Sequence, residues 1–401
     1  MKVQVIFNSS YPIGNVSTHR VHHMCKGLQD NGVDVELLIA HPTEKKDEKR
    51  NVDFSGEFEH VKFRYISKNI VRKKNIFFRK TIDFFCHLAV IFEVLFNRKN
   101  NDIFLVIGPS LDFRTFLPMA SLFNKSKIFL EINEYPFLNN ADNLVQRIKR
   151  FFWLHFIVPL YDGFIVISTE LDDLICKYKS RNSKTIKVPI LGSFSMQKRE
   201  FIPIIQDLYM IHAGSLVESK DGIMGILKAY KLVLEKLDEP LKFVVTGNTK
   251  PNSYNQHIHE YIGENNLQEN IIFTGFLDNN EMENYLKGSA FAIINKFDNL
   301  QNRYCFSTKL SEYIKYGVPV IATSVGESQV YLRDGFNAYL VEPNDQEALV
   351  EKMIDMVFNK DDAKKMANNG YQLIEKDFNY LYQGKLLSLF LMSVLENQSK
   401  E

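Results

Sequence analysis

Short apolar runs alternate along the chain with segments in which apolar residues recur every three or four positions. Val3 to Phe7 reads as a strand and Asn8 to Asn15 as a Gly/Pro/Ser loop; Val21, Met24, Cys25 and Leu28 then form one face of a helix that Gly32 closes. Val33 to Ala40 reads as a second strand, and the strand, helix, strand order predicts parallel pairing with right-handed crossovers. Ile103 to Ile107, Lys127 to Asn133, Gly163 to Ser168 and Ile186 to Val188 continue the series, so the first half predicts a Rossmann-like domain.

A second series begins near Leu208 with LYMIHAG and continues with LKFVVTGN at 241–248, NIIFTGF at 270–276, SAFAIINK at 289–296, VPVIATS at 318–324 and NAYLVEP at 337–343. Helical segments separate these runs. The joint between the halves is expected around Phe194 to Gln206, where MQKREF breaks the apolar pattern. The predicted fold class is therefore α/β, with two Rossmann-like domains at 1–195 and 207–377 whose parallel strand ends would face a central cleft. Phe378 to Leu395 predicts an amphipathic helix, and residues 378–401 are expected to return to the first domain.

Ser307 to Thr323, STKLSEYIKYGVPVIAT, carries the densest chemistry. Ser307 or Thr308 can cap a helix on which Leu310, Tyr313 and Ile314 share a face; Gly317 and Pro319 stop it, and Val318 to Ala322 reads as a buried strand. A helix start offers backbone N–H groups and the positive end of a dipole, and Lys309 adds a full charge, which together suit a phosphate or pyrophosphate. Glu312 follows three residues on, along the same face, where a carboxylate can accept from two ribose hydroxyls. An ordinary surface helix with a Lys and a Glu so spaced is the alternative for this segment taken alone. HAGSLVESKDG at 212–222 follows a strand and presents Gly214, Ser215 and Lys220 before a helix expected from Gly222 to Leu237, a second arrangement suited to an anionic leaving group.

Composition narrows the class. The chain has 401 residues, 45% of them apolar and 24% charged, as in soluble globular proteins of two domains. The net charge of +1 hides an asymmetry: residues 1–200 hold 30 Lys/Arg against 21 Asp/Glu (+9), and 201–401 hold 19 against 27 (−8). The basic half predicts an anionic partner, a membrane surface or a phosphorylated acceptor, and nucleic acid is not expected because no motif for it is present. The four cysteines, Cys25, Cys86, Cys176 and Cys305, show neither disulfide nor zinc spacing. Met1 leads directly into a strand-like run, so no signal peptide and a cytoplasmic location are expected.

HAGSLVESKDGI, VVTGN, IIFTGFLDNNEMENYLKGSAFAII, STKLSEYIKYGVPVIATSVGE and DGFNAYLVEPND, in that order and spacing, resemble the C-terminal domain of retaining glycosyltransferases of family four, which have the two-domain GT-B fold. SSYPIGNVSTHR, LEINEYP, YDGFIVISTELDDLI and VPILGSF resemble the N-terminal domain more loosely, and together the likeness runs over about residues 3–360. The resemblance implies a nucleotide-diphosphate sugar as donor substrate and no cofactor or metal. By it, Glu312 would bind the ribose, Ser307, Thr308 and Lys309 the pyrophosphate, Lys220 the leaving phosphate, the Phe276–Leu277 backbone the base, and Gly14 the phosphates from the other wall. Two positions depart from the family pattern: Ser215 stands where an arginine is usual, and Tyr304 where the first of two paired glutamates is usual. Arg303 or Lys309 is expected to supply the missing charge, and a deoxy or modified sugar would fit Tyr304.

On the acceptor side, Asn15, His19 and Arg20 are expected to line the site, and Glu134, at the end of LEINE before Tyr135-Pro136, is a candidate base for the acceptor hydroxyl; a salt-bridged or capping glutamate is the other reading. His19, His22 and His23 have a spacing that can hold a metal, but no acidic ligand or HExxH pattern accompanies them. Two basic, aromatic segments, 68–99 and 147–161, are too short in their uncharged parts to span a bilayer and read either as interfacial docking elements or as core helices with solvated ends. The expected function is a retaining glycosyltransferase acting on a glycan or lipid-linked oligosaccharide in surface polysaccharide synthesis, peripheral on the inner membrane face. A non-catalytic transferase-like subunit and a GT-B sugar-nucleotide epimerase stand as alternatives; the SSYPIGN that follows the first strand is not GxGxxG, which disfavours an NAD-dependent oxidoreductase.

Overall fold

A computed structural model describes residues 1–96, 102–108, 111–123, 126–137, 144–192, 202–214 and 216–396. The chain forms two compact units, Met1–Ser193 with Asn379–Glu401, and Phe194–Phe378. Most of the expected joint lies outside the described residues.

In chain order the first unit holds β1 (Lys2–Phe7), α1 (Val16–Asp30), β2 (Asp34–Ile39), β3 (Ser55–Phe58), β4 (Val61–Tyr65), α2 (Ile76–Phe96), β5 (Asp102–Ile107), α3 (Leu111–Ser121), β6 (Lys127–Ile132), α4 (Leu144–Phe152), β7 (Gly163–Val166), α5 (Thr169–Cys176) and β8 (Lys184–Lys187). The second holds β9 (Tyr209–His212), α6 (Glu218–Asp221), α7 (Ile223–Leu234), β10 (Lys242–Thr246), α8 (Gln256–Glu264), β11 (Ile271–Gly275), α9 (Asn279–Gly288), β12 (Phe291–Ile294), α10 (Leu300–Tyr304), α11 (Thr308–Lys315), β13 (Val320–Thr323), α12 (Ser328–Tyr331), β14 (Tyr339–Val341), α13 (Gln346–Phe358) and α14 (Lys360–Glu375). The last helix, α15 (Tyr380–Glu396), belongs to the first unit.

The first sheet has the order β3-β4-β2-β1-β5-β6-β7-β8. It is parallel except at one edge, where β3 pairs antiparallel with β4, a departure from the all-parallel sheet that was expected. Glu59 and His60 close this hairpin, both with positive φ. The alternation of Val61, Phe63 and Tyr65 inward is the signal that marks β4. Val3, Val5 and Phe7 of β1 pack with Val21, Met24, Cys25 and Leu28 of α1 and with Leu387 and Leu391 of α15. Gly27 and Gly384 lie where α1 and α15 cross, and a Cβ on either would collide with the other helix's backbone, so the close crossing depends on both. The run 44–50 is mostly exposed, but Glu44 is buried, accepting from the Arg50 backbone N–H and the Asn51 amide at 2.8 Å each.

The second sheet is parallel with the order β11-β10-β9-β12-β13-β14. Its core joins Met210, Phe243, Val245, Phe291 and Ile293 to Ile226, Tyr230 and Val233 of α7 and to Met353 of α13. In each sheet the direction of winding reverses once, between β1 and β5 in the first and between β9 and β12 in the second. Ligands of open parallel sheets bind outside the carboxyl ends of the strands at such reversals. The loops after β9 and β12 therefore define where a site in the second unit is to be sought.

Candidate active site

β9 ends at His212, and the turn that follows needs Gly214, which has φ +155. The helix expected from Gly222 is present as α7, and a further short one precedes it. Glu218–Asp221 forms α6, Gly222 turns left-handed at φ +55, and α7 runs only to Leu234. Asn295, just past β12, donates from Nδ2 to the Gly222 carbonyl at 2.8 Å, and a Cβ on Gly222 would press on that amide. This kink turns Asp221 inward, 8% exposed.

Asp221 meets Lys309. Its Oδ1 lies 2.5 Å from the Lys309 ammonium, and His212 Nε2 lies 3.4 Å from the same nitrogen. His212 Nδ1 faces the Ile293 carbonyl at 3.5 Å, which makes Nδ1 the protonated nitrogen and Nε2 the acceptor. Two of the three ammonium N–H groups are thus directed, and the third has no partner among the described residues. Burial of the ammonium outweighs the attraction of Asp221 and holds the Lys309 pKa below its ordinary value. Burial works to raise the Asp221 carboxyl, but Lys309 and its neighbours hold it below its ordinary range. Lys309, expected at the pyrophosphate, thus has a partner carboxylate that was not recognised in the sequence.

α11 ties the site together. Its N-cap is Ser307, as expected, but the Ser307 side chain does not accept from the first turn, so the hydroxyl does not close the helix start. The Tyr313 hydroxyl, fully buried, accepts from the Ala213 N–H at 2.8 Å and fixes the β9 loop against the helix. Glu312 is exposed at the surface, yet loss of hydration around it raises its carboxyl pKa against the pull of Lys309 and Lys315. Lys220, at the end of α6, is exposed and makes no ion pair among the described residues. Lys296, which sequence reasoning passed over, follows β12 as a buried lysine whose ammonium donates to Asn302 Oδ1 at 3.3 Å.

Arg303 is bound to Asp298 through Nε and, at 2.6 Å, through Nη2, an exposed pair formed because five residues separate them across the start of α10. Arg303, expected as one of two residues to supply the missing charge, thus faces Asp298 in this exposed pair. Phe276 is 83% exposed and Leu277 half-buried, after β11 at the edge of the sheet, where their backbone precedes the Asp278–Glu281 capping box of α9. Ser215 lies outside the described residues.

Residues 197–373 match the family model of glycosyl transferases group 1. The match falls within the second unit, Phe194–Phe378. An uncharacterized glycosyltransferase of Methanocaldococcus jannaschii is 24% identical over 213 residues, 52% of this chain and 56% of that protein, so the match spans about half the relative's length. A glycosyltransferase from Rickettsia africae superposes with a TM-score of 0.72 at 14% identity, covering 99% of each chain. Sucrose-phosphate synthase from Thermosynechococcus elongatus gives 0.71 at 14% identity over 99% of each. Anabaena HepE, solved with UDP-glucose, gives 0.68 at 12% identity over 98% of this chain and 100% of its own. At these identities the likeness establishes the fold, the two-domain α/β arrangement of GT-B glycosyltransferases.

Within the second unit Gly214 leaves room for Lys309: a Cβ there would lie 2.8 Å from Lys309 Cε and 2.9 Å from Nζ. Gly214→Ala is expected to displace the ammonium from Asp221 and to destabilise the unit by about 1–3 kcal/mol, from the left-handed φ and the lost space together. Thermal denaturation reads the effect, and an unchanged melting temperature would show that the lysine does not depend on this opening.

His212 makes the unit sensitive to acid. Burial, with Lys309 beside it, lowers its pKa to about 3, against about 6.5 in an unfolded chain. Below about pH 6.5 the unfolded chain takes up a proton that the folded unit refuses, so stability falls by up to about 1.4 kcal/mol per pH unit. Glu312 acts in the opposite sense nearer its raised value, because the folded state then binds its proton first. Between pH 6.5 and 5.5, the protection factors of the β9 and β12 amides, which correct exchange for its intrinsic pH dependence, are expected to fall. The His212→Asn variant should flatten that dependence; an unaltered slope would assign it to another group.

In the first unit, the residues expected on the acceptor side lie at the start of α1 and beyond β6. Asn15 caps α1, its Oδ1 accepting from Ser17 N at 3.1 Å and Thr18 N at 3.3 Å. Gly14 precedes it and has no room for a side chain, since a Cβ would overlap the Thr18 hydroxyl. His19 is exposed, with its carbonyl accepting from His23 Nδ1 at 2.8 Å, and Glu134 is exposed beyond β6. Arg20, also expected on the acceptor side, follows on α1. It is buried, with Nε 2.8 Å from Glu131 Oε1 and its other nitrogens on the carbonyls of Pro189 and Val188 at 2.5 and 2.8 Å. His22 is buried against the Tyr11 hydroxyl at 2.8 Å, which turns the three histidines to different partners. No cluster of three metal-ligating side chains occurs among the described residues.

Proposed function

We propose that the chain is a retaining glycosyltransferase that moves a sugar from a nucleoside-diphosphate sugar to a hydroxyl of a glycan or lipid-linked oligosaccharide, in surface polysaccharide assembly. The observation that carries this reading is the Lys309 ammonium, aimed by Asp221 and His212 at the sheet's winding reversal with one N–H left for an anion. In this reading the diphosphate lies along Lys309, Ser307 and Thr308, beside Gly214 and Ser215. Lys220 meets the charge that develops on the leaving phosphate, Glu312 accepts from the ribose hydroxyls, and the Phe276–Leu277 backbone contacts the base. Departure and attack occur on one face of the sugar, which keeps the anomeric configuration. In the first unit, Gly14 is assigned to the phosphates, Glu134 to the acceptor proton, and Asn15 and His19 to the acceptor. The reading calls for no metal or cofactor.

Thermal shift across UDP-, GDP- and ADP-sugars tests the donor, followed by nucleotide release with and without candidate acceptors. One donor class is expected to stabilise the protein, and free nucleoside diphosphate should appear only with acceptor. Release without acceptor would point instead to hydrolysis or to epimerase-type chemistry. One observation favours a second reading as a non-catalytic subunit: Asp298 holds the arginine that would have compensated Ser215. Donor binding with no release across acceptors would support that reading.

A further inference from the structure

In the first unit, α4 has no buried residue from Leu144 to Phe152, although its pattern is strongly two-sided. Leu144, Ile148, Phe151 and Phe152 fall at i, i+4, i+7 and i+8 on one face, each more than half exposed, and Arg147, Lys149 and Arg150 fall on the other. α2 repeats the theme. Cys86, Val90 and Val94 form its buried stripe, while Phe77, Phe84, Phe85, Phe92 and Phe96 occupy the opposite arc, each more than half exposed, along about 28 Å of helix. α3 packs against α2 and against the turn Trp153–Ile157 that continues α4, and leaves Phe116 and Met119 exposed. The three helices of this one unit are thus linked in series, and each leaves apolar residues uncovered. Globular surfaces seldom expose so much aromatic area without a partner.

We infer that this face docks on an anionic lipid bilayer. Charge selects the partner. Lys73, Lys80, Arg147 and Lys149 are exposed on or beside these helices, Lys74 is paired with Asp47 at 2.7 Å, and Glu93 of α2 is occupied by Arg64 at 2.7 Å. A second copy would set these cations against their own kind, whereas anionic headgroups complement them and an interfacial layer takes the rings. No helix among the described residues is long and apolar enough to cross a membrane, so α2 and α4 lie along the surface rather than through it. Lys99 and Arg98, at the end of the basic segment expected from sequence, lie outside the described residues. The inference does not depend on the donor chemistry proposed above.

Co-sedimentation of the full chain with vesicles tests it, using phosphatidylglycerol with phosphatidylcholine at about 3:7 against phosphatidylcholine alone. Binding to the anionic vesicles is expected to exceed that to neutral ones by about tenfold or more and to weaken in high salt. The pairs Phe84→Glu with Phe85→Glu, and Arg147→Glu with Lys149→Glu, should each lower it by about tenfold with circular dichroism unchanged. Equal recovery with both vesicle types, or full binding by the phenylalanine pair, would overturn the inference. So would vesicle binding that is absent alongside a concentration-dependent dimer lost in the phenylalanine pair, which would assign the face to a second copy.

Discussion

Lys309→Met is expected to lower sugar transfer by roughly two to three orders of magnitude, the loss that follows removal of one well-aimed donor to a developing anion. The same variant leaves Asp221 buried beside a neutral His212, so it should also destabilise the second unit by about 3 kcal/mol. Those two effects separate in the double variant Lys309→Met with Asp221→Asn. Removing both charges relieves the unpaired carboxylate, so stability should return toward that of the parent while transfer stays low. Asp221→Asn alone tests the positioning role: with the ammonium released from its anchor, the Michaelis constant for the donor should rise more than the turnover number falls. Recovery of transfer in the double variant would sink the assignment of Lys309 to the diphosphate. Unchanged turnover in both Lys309→Met and Lys220→Ala would sink the division of labour between the two lysines.

What was legible in the sequence follows from how local each signal is. The strands of the second unit were readable because each is a short apolar run between turn residues, and their order carries the position of the winding reversal. Lys309 and Glu312 were readable as a helix-start pair for the same reason. Asp221 was not, because its role depends on a left-handed Gly222 and an amide from Asn295, 73 positions beyond Gly222. His212 was visible only as part of a strand end, and its function as an acceptor for Lys309 arises from a contact 97 residues away. The β3–β4 hairpin was missed although Val61, Phe63 and Tyr65 alternate, since Ser55–Phe58 is exposed throughout and offers no apolar periodicity of its own. The basic aromatic segments show the reverse case. Their composition was plain, but whether the aromatic residues point inward or outward is a tertiary fact.

The largest effect on stability is expected in the first unit, where Arg20→Met should cost about 3–5 kcal/mol. Glu131 is 1% exposed; its Oε1 rests on Arg20, and its Oε2 has no hydrogen-bond partner. Without the guanidinium the carboxylate is left charged in the interior, and the carbonyls of Val188 and Pro189 lose their donors as well. Arg20→Lys should fall between the two, because an ammonium can meet Glu131 but lacks the planar fork that reaches both carbonyls. Adding Glu131→Gln to Arg20→Met removes the stranded charge and should recover part of the loss. LEINEYP offers two carboxylates three positions apart, and the one in the interior is the stabilising partner while Glu134 remains exposed. Urea denaturation followed at the first unit distinguishes this role from acceptor binding. A parental midpoint in Arg20→Met, with a raised Michaelis constant for acceptor, would return Arg20 to the acceptor surface.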